Sequence, residues 1–209
     1  MKKLYIPFVI LSILSFAVRA QTNTNSDSEA APFLGLTPDA RSAGMGGVGT
    51  ALSPDAFSFY HNAAATLFSK EKGAVGFSYA PWMRDWVSGS ALGSVGGFYK
   101  IGSKQSIVDG ERDFFHPDMN ISDENGNITD KFTPYEWVID LGYSRLLTKN
   151  LSMALTLHYI HSDMGSYNGA DAASAVAFDV SVYYQRKTSL VDSATWSVGL
   201  QIANIGSKI

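Results

Sequence analysis

Residues 135–162 read YEWVIDLGYSRLLTKNLSMALTLHYIHS and contain two runs in which apolar and small polar side chains alternate. In the second run, the bulky apolar residues occupy every other position: Leu151, Met153, Leu155, Leu157 and Tyr159. The intervening positions hold Ser152, Ala154, Thr156 and His158. Because successive side chains of a β-strand point to opposite faces of the sheet, this period predicts strands with one apolar and one polar face.

The same alternation recurs on both sides of this stretch and predicts about seven strands. They span residues 73–82, 89–101, 105–115, 135–147, 151–162, 175–186 and 195–205. Segments of about ten residues with a two-residue period are typical of transmembrane β-barrels. A soluble β-sandwich also alternates and is the competing fold.

Two features favour the barrel over the sandwich. The polar faces carry Gly, Ala, Ser and Thr with single acids, whereas a solvated surface would be richer in Lys and Glu. Aromatic residues also gather near strand ends, where interfacial girdles lie. They are Trp82, Trp86, Trp137, Tyr159, Tyr184 and Trp196. The predicted fold is therefore an all-β transmembrane antiparallel barrel.

The lengths of the connections predict which ends of the strands share a side of the membrane. Bacterial outer-membrane barrels have short periplasmic turns and long outer loops. Residues 102–104 and 148–150 are short connections, whereas residues 116–134 and 163–174 are long ones. The short pair is predicted to lie in the periplasm and the long pair outside.

The polar faces are predicted to line the barrel lumen. Asp140, His158 and Asp179 all fall on these faces, and lumen hydrogen bonding is the favoured role for them. If the lumen is wet, an arginine should cost less at Ala154 than at Leu155, which is predicted to face lipid.

The segment before the strands has a different composition. Residues 32–68 read PFLGLTPDARSAGMGGVGTALSPDAFSFYHNAAATLF and are rich in Gly, Ala and Ser. Small residues allow close backbone packing, so residues 32–72 are predicted to form a plug inside the barrel. Asp39, Arg41 and Asn62 are candidate contacts between this plug and the lumen.

The first residues of the chain predict export. Lys2 and Lys3 precede an apolar run at residues 4–16, and residues 18–20 read VRA, so residues 1–20 are predicted to be a cleavable signal peptide. Residues 21–31 are predicted to be a disordered leader. Removal of the three basic residues of the signal peptide takes the net charge from −3 to −6, which disfavours nucleic acid as a partner. The chain has no cysteine.

Five blocks of sequence resemble the PorV family, whose members are outer-membrane barrels of the type IX secretion system and distant relatives of FadL channels. The blocks are LTPDARSAGMGGVGTAL at 36–52, DAFSFYHNAAA at 55–65, SYAPWMRDW at 78–86, residues 134–162, and WSVGLQIANIGSKI at 196–209. The resemblance implies a FadL-like barrel of about twice this length. We therefore expect this chain to be an N-terminal part, with residues 73–209 forming a partial barrel wall.

The resemblance also implies a function. PorV-like proteins are non-enzymatic carriers that bind the C-terminal domains of cargo at the translocon. They carry cargo to the attachment complex, which holds PorU, PorQ and PorZ. The partners implied are thus cargo, these secretion proteins and outer-membrane lipid. The alternative is a FadL-like outer-membrane channel for hydrophobic small molecules.

The residue types predict no catalytic, cofactor-binding or metal site. The glycine-rich run at 44–49 matches G-x-G-x-x-G but lacks a preceding strand. Asn125-Gly126 predicts a hairpin turn rather than a calcium loop. For partner binding, the candidate loop is residues 163–174, with Met164 and Tyr167 as anchors and Asp171 on the rim. Residues 116–134 are the second candidate loop.

Overall fold

The predicted strands form one antiparallel sheet. The computed structural model describes residues 31–83, 85, 89–165, 172–188 and 194–206. Seven strands lie side by side in chain order, and the sheet that they form curls into half a barrel. They are β1 Gly73–Pro81, β2 Ala91–Ile101, β3 Gln105–Phe115, β6 Tyr135–Thr148, β7 Leu151–Asp163, β8 Ala173–Lys187 and β9 Thr195–Gly206. The all-β prediction and its seven strands are confirmed.

A second, smaller sheet lies within the long connection between β3 and β6. Strands β4 (Met119–Ser122) and β5 (Ile128–Phe132) pair as an antiparallel hairpin. Its loop contains the predicted Asn125-Gly126 turn, and Gly126 has a positive φ of 83°. Asp123 stabilises this loop by accepting hydrogen bonds from the backbone amides of Asn125 and Asn127.

The two faces of the large sheet are as the alternation predicts. On β7, Ala154 is 3% exposed on the concave inner face, whereas Leu155 is 54% exposed on the outer face. The condition of a wet lumen, on which the arginine prediction rests, is not met at Ala154, because Ala154 packs in a cluster with Phe59 and Ala63. An arginine there would have to displace packed side chains rather than enter water.

Four short helices occupy the inner face, in a part of the chain that we call the inner segment (residues 31–68). They are the 3₁₀ helices Pro32–Gly35 and Ala63–Phe68 and the α-helices α1 (Ala40–Gly44) and α2 (Ser58–Asn62). Among the described residues, none of the helices has the length and apolar character needed to cross a membrane.

The inner segment runs along the inside of the sheet. Phe33 packs on Val138 and Ile160, in the half of the sheet nearer the long loops. The helix Ala63–Phe68 lies at the opposite, short-turn end, where its carbonyl oxygens accept hydrogen bonds from the wall. Ser144 Oγ donates to Ala63 O at 2.8 Å, and Ser152 Oγ donates to Ala64 O at 2.7 Å. The serines of the polar face therefore satisfy backbone groups that the packing buries.

Depth in the membrane gives a first testable prediction. Leu157 lies in the middle of β7 on the outer face, and Leu147 lies beside a short turn on the same face. If the outer face meets lipid, Leu157→Arg should cost about 2–4 kcal/mol and Leu147→Arg about 0–1 kcal/mol. Urea unfolding of the protein in lipid vesicles measures both costs. Equal costs at the two depths would contradict a lipid-facing surface.

Candidate functional site

A cluster of four buried charged or titratable side chains lies on the inner face. Asp140 on β6 is fully buried and accepts hydrogen bonds from Arg112 on β3, both at 3.2 Å. His158 on β7 places Nδ1 2.5 Å from Asp140 Oδ1. Its Nε2 lies 3.0 Å from Asp179 Oδ1 on β8, at ion-pair distance but without hydrogen-bond alignment. We call these four residues the lumen charge cluster.

Strand register brings the cluster together. Asp140 and His158 are direct cross-strand partners in the β6–β7 pair, and Asp179 lies two positions along from the partner of His158 on β8. Because inward positions recur every second residue, the three predicted lumen residues fall within one patch. Their predicted lumen hydrogen bonding thus has a specific geometry.

The cluster extends to β9 and to the inner segment. Asp179 accepts hydrogen bonds from Gln201 Nε2 at 2.8 Å and from the Asn204 backbone amide at 2.7 Å. Arg112 also reaches Leu34 O at 3.4 Å, and its guanidinium lies 4.8 Å from the centre of the Tyr60 ring. The arrangement can therefore fasten five strands and the inner segment to one another.

The chemistry of His158 follows from its two neighbours. A carboxylate oxygen lies beside each ring nitrogen, and an imidazole can donate from both nitrogens only when it is protonated. With a protonated His158, two positive charges face two negative ones, which is the balance that burial of charge requires. Among the described residues, no group of three or more His, Cys, Asp or Glu side chains is suited to hold a metal ion.

A second polar group lies toward the long-loop end. Glu136 is buried and contacts His116 Nε2 at 2.9 Å through one carboxylate oxygen. Its other oxygen accepts a hydrogen bond from Ser162 Oγ, also at 2.9 Å. The carboxylate separates the histidine from the serine, whereas a nucleophile triad needs the histidine in the middle. The geometry suits a structural contact between β6, β7 and the first residue after β3.

The two charged residues predicted to join the plug to the lumen pair within the inner segment. Asp39 caps α1 by accepting from the Ser42 amide at 2.9 Å, and it lies 3.2 Å from His61 Nε2. Arg41 donates to Asp55 and to Ser53. This pairing differs from the predicted contact with the wall, because the turn after α1 brings complementary groups of the same segment closer.

The environment of Asp39 makes its contribution depend on pH. Burial raises the pKa of Asp39, but hydrogen bonds from Ser42 and the nearby His61 together lower it below the ordinary value of 3.8. A carboxyl whose folded-state pKa is depressed stabilises the fold above its unfolded pKa. The Asp39 contribution is therefore present near neutral pH and is lost as the pH falls through the depressed value.

The third predicted contact residue, Asn62, does reach the wall. Its side-chain amide donates to Val182 O on β8 at 3.0 Å and to Thr50 O at 2.9 Å. Its side-chain oxygen accepts from the Ala64 amide and so caps the helix Ala63–Phe68. Asn62 is almost fully buried, so each of these bonds replaces one to water.

The predicted partner-binding loop is described only in part. Met164 follows β7 and is exposed at the long-loop end. Tyr167 and Asp171 lie outside the described residues, so their roles stay predictions. The hairpin β4–β5 lies in the second candidate loop, and Met119 and Ile128 are exposed on it.

Sequence reasoning missed Arg112, Glu136 and Tyr60. Glu136 is a charged residue at an inward position of β6, where the alternation is clear enough to signal it, whereas β3 has charges on both faces and gives no such signal for Arg112. Tyr60 carries no such signal, because its position depends on how α2 packs. Its hydroxyl donates to Val95 O and Glu111 O, both at 3.0 Å. Burial raises the pKa of this hydroxyl, which keeps it a donor.

Comparison with known proteins agrees with this architecture. The family model described as type IX secretion system protein PorV matches residues 19–209, which is nearly the whole chain. A sequence search of curated proteins gives no match. The matched family implies a component of type IX secretion, and family and barrel-like fold together indicate the outer membrane. The chain belongs to the family of the type IX secretion system protein PorV.

Proposed function

We propose that this protein is an outer-membrane cargo carrier of type IX secretion. It binds the C-terminal domains of secreted proteins as they leave the translocon and brings them to the attachment complex of PorU, PorQ and PorZ. A cleavable signal peptide at residues 1–20 exports it. Family membership supports the secretion role, and two structural observations favour carriage over transport of small molecules.

The packed inner face is the observation that carries the proposal. Phe59, Ala63, Ala64 and Phe98 form a buried cluster with Tyr183, which is fully buried. A channel for hydrophobic molecules needs an apolar cavity that is open to its ligand. Here the inner segment fills the face of the described sheet, and hydrogen bonds fasten it to several strands. A barrel whose inner face is filled in this way is better suited to bind a protein at its rim than to let small molecules pass through its lumen.

The long-loop end supplies the surface that a carrier needs. The hairpin β4–β5 exposes Met119 and Ile128, and Met164 is exposed on the next long loop. Isolated two-stranded hairpins are only marginally stable in water, and their open edges can add a strand of a partner. A cargo domain that packs on the hairpin or pairs with it would bury these apolar side chains. We place cargo contact on both long loops, with residues 163–174 as the main site.

Cargo capture by the full-length protein tests the proposal. Tyr167→Ala should reduce the cargo that co-purifies by about tenfold, because buried aromatic anchors dominate interface energies. Asp171→Ala, a rim charge in the same loop, should have a much smaller effect on recovery. A Gly-Ser replacement of residues 163–174 should abolish capture while heat-modifiable migration shows that the barrel still forms.

Three outcomes would count against parts of the proposal. Unchanged cargo recovery after the loop replacement would exclude this loop and leave the hairpin as the site. If replacement of neither long loop reduced the recovery of cargo, the long-loop end would be excluded as the cargo site. If the wild-type protein captured no cargo but retained bound fatty acid, the FadL-like channel would replace the carrier as the function.

A further inference from the structure

The outer face of β1–β3 contains a groove. It has a volume of about 510 Å³ and lies among Val75, Val95, Tyr99, Ile107 and Ile139, which have outward side chains. Gly97 also lines the groove, between Val95 and Tyr99 on β2. The groove is therefore built into the wall on the side opposite the inner segment.

Two carboxylates line the same groove near the centre of β3. Asp109 and Glu111 are exposed at outward positions and pair across β2 with Gly97 and Val95. Asp113 continues the outward row, and its carboxylate accepts a hydrogen bond from Tyr135 Oη at 3.2 Å. Among the described residues, neither Asp109 nor Glu111 forms an ion pair.

The other strands of the wall give an internal comparison. At the corresponding central positions, the outward side chains of β6–β9 are apolar. They include Leu141, Leu155, Leu157, Phe178, Val180 and Leu200. The outer face of β3 is therefore chemically different from the part of the wall that suits lipid.

Physical chemistry disfavours lipid as the neighbour of β3. Ionisable side chains inside the membrane are costly, and they almost always face protein, water or an opposite charge. Two unpaired carboxylates at mid-strand depth would meet hydrocarbon if lipid covered them. A basic side chain brought by another protein would neutralise them, and the groove has room for its aliphatic stem.

We propose that the outer face of β1–β3 docks against a membrane-embedded protein that inserts a lysine or arginine, on an apolar segment, into this groove. Asp109 and Glu111 pair with the basic group, while Val95, Tyr99 and Ile107 contact the apolar segment. The surface lies on the side of the barrel, so it does not depend on cargo capture by the long loops.

Charge also argues against a second copy of this chain as the occupant. A two-fold symmetric contact through this face would set the acids of one copy against those of the other. A contact with the opposite side of another copy would meet the apolar central positions of β6–β9, which offer no cation among the described residues. The groove therefore fits a different protein of complementary charge.

Site-specific photo-crosslinking in the native outer membrane tests this inference. A benzophenone amino acid is placed at Ile107 in the groove and, as matched control, at Leu157 on the lipid side. The two positions are 46% and 49% exposed, so accessibility does not distinguish them. We expect a covalent protein adduct at Ile107 and none at Leu157, and mass spectrometry of the adduct should show a partner peptide containing lysine or arginine.

Charge exchange shows whether the carboxylates hold the partner. Asp109→Lys with Glu111→Lys should lower the adduct yield by about tenfold or more, because like charges repel across an interface. Asp130→Lys on the exposed hairpin is the control and should leave the yield unchanged. Replacing the partner's basic residue by glutamate should restore the adduct of the reversed variant. The neutral pair Asp109→Asn with Glu111→Gln serves if the reversed pair fails to fold, and it should also lower the yield.

Other results would overturn the inference. Adducts at Ile107 with lipid alone would show that this face meets the bilayer. An adduct with a second copy of the chain would assign the groove to self-association. If the adduct yield is unchanged in both the charge-reversed variant and the neutral variant, recognition by Asp109 and Glu111 is excluded. Loss of cargo capture with the Ile107 adduct intact would overturn only the carrier proposal.

Discussion

Asp140→Ala should destabilise the protein by about 3–5 kcal/mol, because it leaves the charge of Arg112 buried without its partner. His158 would at the same time lose the carboxylate at Nδ1. Asp140 is fully buried, and the inner segment closes over the cluster through Leu34 and Tyr60. Urea unfolding of the full-length protein in lipid vesicles, followed by tryptophan fluorescence, measures the change.

Two further variants separate loss of charge pairing from general damage. Asp130→Ala removes an exposed acid of the hairpin and should change the free energy of unfolding by less than about 0.5 kcal/mol. The double variant Arg112→Leu with Asp140→Leu removes both charges, and replacing a buried pair with apolar groups is often close to neutral. Its cost should therefore be clearly smaller than the summed costs of Arg112→Leu and Asp140→Leu, each measured alone. A cost below about 1 kcal/mol for Asp140→Ala would mean that water reaches the cluster.

The large sheet was predictable because its strands obey one simple rule over many residues. Between Leu151 and Tyr159 every second residue is bulky and apolar, and the structure exposes those residues outward and buries the others. The predicted end points lie within two residues of those observed, as for β8, which runs from Ala173 to Lys187. Cross-strand pairing then places Asp140 beside His158, so part of the lumen charge cluster was also foreseeable.

Other elements were not predictable because their order depends on distant residues. Strand β3 reads QSIVDGERDFF and has charges on both faces, so its alternation does not tell which of Glu111 and Arg112 points inward. Strands β4 and β5 are exposed on both faces, and only the turn between them left a signal. The pairing of Asp39 with His61 spans 22 residues and depends on the turn at Gly46 and Gly47, which both have positive φ. Such contacts follow from packing, which local pattern does not encode.

Gly110→Ala should release or distort the inner segment and cost about 1–3 kcal/mol, as overpacking of a filled core does. Gly110 on β3 faces Gly96 on β2, and the ring of Phe59 lies against both. A Cβ atom at Gly110 would lie 2.2 Å from Phe59 Cζ, which is far inside van der Waals contact. Phe59 is buried among Ala63, Ala64 and Ala65, so its ring has little room to move.

Trypsin accessibility shows whether the inner segment is what moves. Arg41 lies in this segment and is partly exposed, and its side chain is held by Ser53 and Asp55. Cleavage after Arg41 should become faster in Gly110→Ala, while heat-modifiable migration reports on the wall. Gly44→Ala is the matched control, because no neighbouring atom lies within 4 Å of a Cβ built there. Its cleavage rate and its free energy of unfolding should stay close to those of the wild type.

A double-mutant cycle tests whether the Phe59 ring packs directly against Gly96 and Gly110. Once Phe59→Ala has removed the ring, adding Gly110→Ala should cost little more. A double-mutant cycle would then give a coupling energy similar in size to the cost of Gly110→Ala alone and opposite in sign. Gly96→Ala should not be rescued in this way, because a Cβ there would also lie 2.6 Å from Asp109 O in the backbone of β3. If Phe59→Ala does not reduce the destabilisation caused by Gly110→Ala, the two glycines are needed for the pairing of β2 with β3 and not to make room for the Phe59 ring. Rescue of Gly110 alone would show that the wall is shaped at this point to hold the inner segment in place.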